Sequence, residues 1–165
     1  MEFKDVIAAR RSRREYLDRA VEVEKVKEIM KAGTLAPTGM DKQNLRFVAV
    51  MNKEALSEIR KNTFGGDDLF YSAPAVVFCI ETEETSTTEL NVGAAMENMA
   101  LAATDLGLGC CWIHCARERL NADAARLSDI LHLSAGEKFL ECLTLGYSAQ
   151  KREPKEVRET ITVIK

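Results

Sequence analysis

"NVGAAMENMALAATDLG" spans residues 91–107. Val92, Ala95, Met96, Met99, Ala102, Ala103 and Leu106 follow the i, i+3, i+4 spacing of one helical stripe. Ala94, Ala100 and Leu101 make the remaining surface apolar too, and a helix apolar nearly all round is buried nearly all round. Its many alanines let another backbone come close. The spacing predicts a long buried central helix, in the middle of the fold or at a subunit contact.

The flanking segments read as a sheet around that helix. LGCCWIHC (108–115) is strand-like, and AVVFCIE (75–81) is short and almost uninterruptedly apolar, as a strand covered on both faces would be. LRFVAVM (45–51) and FLECLTLGY (139–147) are further strands, and the alternation in the terminal ETITVIK suits an edge strand. Phe3, Val6, Ile7 and Arg10 recur at helical spacing, and further helices are expected at 22–33, 53–62 and 118–131. Pro37 and Gly39 make TLAPTGMDKQN a loop, and FGGDD is a turn. Without strict βαβ alternation the class is α+β, with a central mixed or antiparallel sheet flanked by helices in one domain over 1–165.

With 165 residues, 46% apolar and 30% charged, the chain has the balance of an ordinary globular protein. Its net charge of −3 argues against a nucleic-acid partner. MEFKDV mixes charged and apolar residues, unlike a signal peptide, and no later run reaches the length of a membrane span. A cytoplasmic protein with no membrane partner is expected. Five cysteines, an odd number without framework spacing, read as reduced core thiols.

ARRSRREY (9–16) sets four arginines around Ser12. Such a cluster sits solvated, contacts nucleic acid or grips a phosphate. Guanidinium groups bind phosphate oxygens in pairs and a serine hydroxyl adds a hydrogen bond, yet a solvated basic turn fits the residues equally well. Gly107 and Gly109 lack the third glycine of a dinucleotide fingerprint and lead into a strand, so any phosphate must be held largely by side chains. In CCWIHC, Cys110, Cys111, His114 and Cys115 are metal-ligand types. Adjacent cysteines on a strand face opposite sides, however, and no second ligand pair exists, so no metal is expected. Neither His114 nor His132, the only histidines, comes with an evident orienting acid. Trp112 is either core or the lining of a planar ligand.

Four stretches, in order, resemble the nitroreductase family of flavin mononucleotide (FMN) enzymes. RRSRREY is similar to the family's R-x-S-x-R motif, and APTGMDKQNLRFVAV to A-P-S-x-x-N-x-Q-P-W-x-F-x-V. GAAMENMALAATDLGLGCCWI resembles the central helix and following strand, and LGYSAQKREP the closing G-Y segment. The resemblance implies a homodimer with FMN at the subunit interface. It implies that Arg10 and Ser12 hold the flavin phosphate, joined by Arg152, with Arg11 counted beside them and Arg13 left to solvent. Arg14 would approach the pyrimidine edge, where reduced flavin carries negative charge. Pro37, Thr38 and Gly39 would reach the partner's flavin, while Cys111, Trp112, Ile113 and His114 line the ring. The implied activity is ping-pong hydride transfer from NAD(P)H through flavin N5 to a nitroaromatic or quinone, with no side chain required as acid or base. The alternative is a flavin store or sensor without turnover. Asp41, Asn44, Leu45 and Ser148 depart from the family pattern, Ser148 standing where proline is usual.

Overall fold

Seven consecutive buried residues, Ala75–Glu81, form β2 and lie inside the sheet. The structure, a computed structural model, describes residues 1–150, 155–158 and 160–164. β2 pairs on one side with β1 (Leu45–Val50) and on the other with β4 (Lys138–Gly146), and β4 pairs in turn with β3 (Gly109–Ile113). Every pairing in the β1-β2-β4-β3 sheet is antiparallel, which decides between the mixed and antiparallel expectations. The register sets Ile113 opposite Cys142 and Cys79 opposite Glu141, beside a bulge at Cys79/Ile80. A glutamate therefore sits in the sheet interior at the level where β3 ends.

Side-chain alternation divides the core into two layers. Val77, Cys79, Leu143, Leu145 and Cys110 face α2 (Val23–Thr34) and α4 (Thr88–Asp105). Val76, Phe78, Ile80, Phe139, Cys111 and Ile113 face α3 (Lys53–Asn62), α5 (Arg117–Ala122) and α6 (Ala124–Leu131). In this second layer Phe64, Phe70, Phe78 and Phe139 stack edge to face, with successive centroids 5.0, 5.8 and 6.0 Å apart. The short α1 (Phe3–Ala9) packs on α4.

The long central helix starts at Thr88 rather than Asn91. Val92, Met96, Met99 and Ala103 bury one flank, whereas Leu90 is 75% exposed and Ala94 and Leu101 are half-buried. Gly107, at φ +75°, closes the helix as the Leu108 N–H reaches back to the Ala103 carbonyl at 2.8 Å. The helix expected over 118–131 is two helices. The break falls at Asp123, whose carboxylate accepts from Thr63 Oγ1 (2.7 Å) and Arg126 Nε (3.1 Å). The expected tail strand is absent among the described residues: 160–164 form no strand, and Ile161, Val163 and Ile164 are exposed.

Arg46 of β1 forks onto Glu137 ahead of β4 at 2.7 and 2.6 Å and also donates to the His132 carbonyl. The Arg46 hydrogen bond is the main cause that holds the Glu137 carboxyl below the usual range. A depressed folded value gives stability that is complete above the unfolded carboxylate value, about 4.3, and lost as pH falls through the lower folded one. Arg46→Met should lower stability by about 1–2 kcal/mol at neutral pH. In urea titrations the gap from wild type should close as pH falls below 4; a gap unchanged down to pH 3 (~1 unit under the reference value) contradicts this role.

Candidate cofactor site

The arginine segment is fixed by backbone before any side chain acts. α1 stops at Arg10, Ser12 forms a parallel bridge with Cys110, and the Arg13 N–H donates to the Cys110 carbonyl at 2.8 Å. Residues 10–14 thus run beside β3. Arg10 Nε lies 3.3 Å from exposed Glu97 on α4, and Arg11 Nη1 donates to the Arg10 carbonyl at 2.6 Å. Arg14 is exposed, 5.9 Å from the Tyr71 ring centroid, and its charged form is favoured first by Cys111 and then by Tyr71. Arg13 corrects the reading of a solvent residue. It is half-buried, its stem packs on Gly109, and its guanidinium donates to the Gln150 carbonyl.

That last contact explains the serine in the closing segment. Ser148 Oγ donates to the Glu15 carbonyl at 2.6 Å and accepts from the Gln150 N–H at 3.2 Å. Gln150 Nε2 reaches Glu15 Oε1 at 3.1 Å. Hydroxyl hydrogen bonds replace the stiffness of proline and hold the outgoing chain against the arginine segment. Arg152 lies outside the described residues.

Pro37, Thr38 and Gly39 sit at the N-terminal end of α4, apart from the arginines in their hydrogen bonding among the described residues. The Gly39 N–H donates to Asn91 Oδ1 at 3.0 Å, and a Cβ on Gly39 would fall 2.3 Å from Thr87 Oγ1. Thr38 Oγ1 accepts from the Gln43 N–H at 3.0 Å. Buried Asn44 completes the anchor by accepting from Asn91 Nδ2 and donating to Thr88 Oγ1 and the Glu83 carbonyl. Met40, Asp41 and Gln43 all hold positive φ, strain that the anchor sustains. Asp41 accepts from Gln43 Nε2 at 3.0 Å, a role within the loop.

β3 splits the remaining candidates between its faces. Cys111 and Ile113 are buried in the phenylalanine layer, and their side chains are core. Trp112, 40% exposed, and His114 emerge on the other side, where Gly93 of α4 lies 3.9 Å from the indole at its would-be Cβ. Glu141, only 4% exposed, accepts from Trp112 Nε1 with Oε2 at 2.6 Å, and its Oε1 lies 2.6 Å from His114 Nδ1. His114 therefore does have an orienting acid. Sequence reasoning missed Glu141; the signal was a lone carboxylate inside the apolar run FLECLTLG. His114, Cys115, Arg117, Glu118 and Asn121 line an open cleft of about 640 Å³. Among the described residues no three His, Cys, Asp or Glu side chains come together as a metal site would need. Cys79, Cys110, Cys111 and Cys142 are buried free thiols, and burial pushes Cys110 up to about 12. They are core groups, not nucleophiles.

These residues fit an aromatic ligand carrying a phosphate. Among the described residues, Arg11 and Arg14 have no carboxylate within 4 Å, and the partner of Arg10 is exposed. Ser12 adds a hydroxyl, and Trp112 offers an anchored ring edge. The sequence pattern of the nitroreductase family matches residues 7–66 and 58–147. The chain belongs to the nitroreductase family.

Other nitroreductases share both sequence and fold with it. A relative in Archaeoglobus fulgidus, provisionally named an NADH dehydrogenase/NAD(P)H nitroreductase, is 29% identical over 154 residues, covering 90% of this chain and 86% of the relative. The NADPH-flavin oxidoreductase of Vibrio harveyi is 27% identical over 168 residues, covering 92% of this chain and 68% of its own. A Bacteroides fragilis nitroreductase crystallised with bound FMN superposes with a TM-score of 0.85 at 27% identity, and each chain is covered fully.

Proposed function

We propose that this nitroreductase is an FMN-dependent NAD(P)H oxidoreductase that works as a homodimer, with the whole of 1–165 forming one flavin-binding unit. The observation that carries the reading is one strand, β3, joined by the arginine segment at Cys110 near its start and by the Trp112–Glu141–His114 group at its end. FMN-bound neighbours at 27% identity support the choice of cofactor.

Arg10, Arg11 and Ser12 hold the phosphate, Arg152 joins them from the tail, and Arg14 faces the pyrimidine edge. Trp112 and His114 line the ring with side chain and backbone, Cys111 and Ile113 with backbone alone. Pro37, Thr38 and Gly39 serve the partner's flavin. When bound, the flavin would supply hydride chemistry between NAD(P)H and a nitroaromatic or quinone, the two met in separate encounters. The chain positions the reactants and supplies fixed positive charge at the edge where negative charge develops.

The homodimer is supported by apolar side chains left uncovered: Phe3, Ile7 and Leu90 around α1 and α4, and Ile161, Val163 and Ile164 in the tail. Free thiols favour a cytoplasmic setting. No helix among the described residues is long and apolar enough to cross a membrane. Neither helix nor strand forms over 63–74, which suits a site without a helical cover and open to varied acceptors. Steady-state rates against both substrates test the reading: parallel initial-rate lines are expected, and intersecting lines contradict two separate encounters. A flavin that binds but is not reduced by NADH or NADPH would leave the storage role instead.

A further inference from the structure

We propose that His114 donates the proton that the acceptor takes up together with hydride, and that Glu141 is its positioning residue. The proposal rests on the flavin reading above and replaces the expectation that no side chain moves a proton.

The arrangement is costly unless it is used. Glu141 is a nearly fully buried carboxylate in a strand interior, where an unpaired charge is strongly disfavoured. Its two oxygens are divided between Trp112 Nε1 and His114 Nδ1, both at 2.6 Å. A carboxylate at Nδ1 holds that nitrogen protonated, fixes the ring orientation and leaves Nε2 as the working atom. The His114 side chain is 76% exposed, so burial of its ring is not what the contact achieves. Nδ1 is engaged by Glu141, and the ring borders the cleft that His114 lines with Cys115, Arg117, Glu118 and Asn121.

The neighbouring charges leave this role open to His114. Arg117 is forked onto Glu89 of α4 at 2.8 and 3.2 Å, so the nearest fixed cation is engaged. Glu141 faces the imidazole from β4, Glu89 and Arg117 from α4 and α5, and Cys115 and Glu118 from the cleft wall. An imidazole can give a proton from one ring nitrogen while the other stays hydrogen-bonded, which suits a group that must gain and lose a proton each cycle.

The step balances for a quinone acceptor. The quinone receives hydride from the bound flavin and a proton from Nε2 of the His114 imidazolium, and becomes the hydroquinone. His114 is left as neutral imidazole with its proton on Nδ1, and solvent restores the Nε2 proton. Two electrons pass to the quinone and none to the protein.

Two measurements test the assignment. Nitrogen-15 spectra of flavin-free protein at high pH should find neutral His114 protonated at Nδ1, and Glu141→Gln, whose amide can donate to Nδ1, should move the proton to Nε2. A wild-type ring protonated at Nε2 overturns the positioning role. In stopped-flow reoxidation of the reduced enzyme by benzoquinone, His114→Asn should slow the reaction about 10²-fold, the lower end of general acid catalysis. It should also flatten the pH profile, and added imidazole should restore rate. A variant that keeps the wild-type rate and profile, or is slow but not rescued, overturns the proton role. Flavin-loaded protein with such a variant sinks this inference alone, whereas wild-type protein that takes up no FMN sinks the flavin reading beneath it.

Discussion

Replacing Arg10 and Arg152 together by alanine is expected to release FMN while leaving the folded chain intact. Hydrogen bonds to charged groups contribute about 1.5–3 kcal/mol each. Removing two from one phosphate should therefore weaken binding by about 10²–10⁴-fold. The fold has little to lose at Arg10, whose Glu97 partner is half exposed, since such pairs are worth about 0–1 kcal/mol. Equilibrium dialysis reads the affinity, and urea unfolding of the flavin-free protein reads stability. Wild-type occupancy in the double variant contradicts the phosphate assignment. Equal losses of stability and affinity would mean that the arginines act through the fold.

The opposite dissociation is expected at Phe78. Its ring is fully buried on the sheet face away from Trp112 and His114, wedged between Phe70 and Phe139 at 5.8 and 6.0 Å. Phe78→Ala removes the transfer free energy of the ring, its edge-to-face contacts and the packing around the cavity, about 3–5 kcal/mol in all. Domains of this kind have about 5–15 kcal/mol in total. The urea midpoint should fall sharply, while the folded fraction binds FMN with nearly wild-type affinity. A loss under about 1 kcal/mol, the range of exposed positions, would show that the aromatic stack is not the core of this layer.

The strands, the first three helices and the central helix were legible because burial leaves a direct periodic trace. Ala75–Glu81 is buried at every position and reads as a run apolar up to Glu81; α2 and α3 each carry one apolar stripe. The division at Asp123 left no such trace, since NADAARL has neither glycine nor proline and the break depends on Thr63, far off in sequence. Side-chain partnerships across strands were the least legible. His114 and Glu141 are 27 positions apart and meet only because the register sets Ile113 against Cys142. Asn44 and Ser148, conspicuous as departures from the family pattern, proved to be replacements with their own hydrogen bonds rather than losses. The apolar alternation of the tail was legible, but among the described residues its apolar side chains stay exposed.

Everything functional depends on a flavin nucleotide being gripped where basic side chains run alongside β3. The visible spectrum of the purified protein, with FMN added if needed, reads this most directly. Yellow protein whose bands bleach with NADH or NADPH and return with a quinone is the predicted result. Colourless protein that fails to retain added FMN would contradict the account.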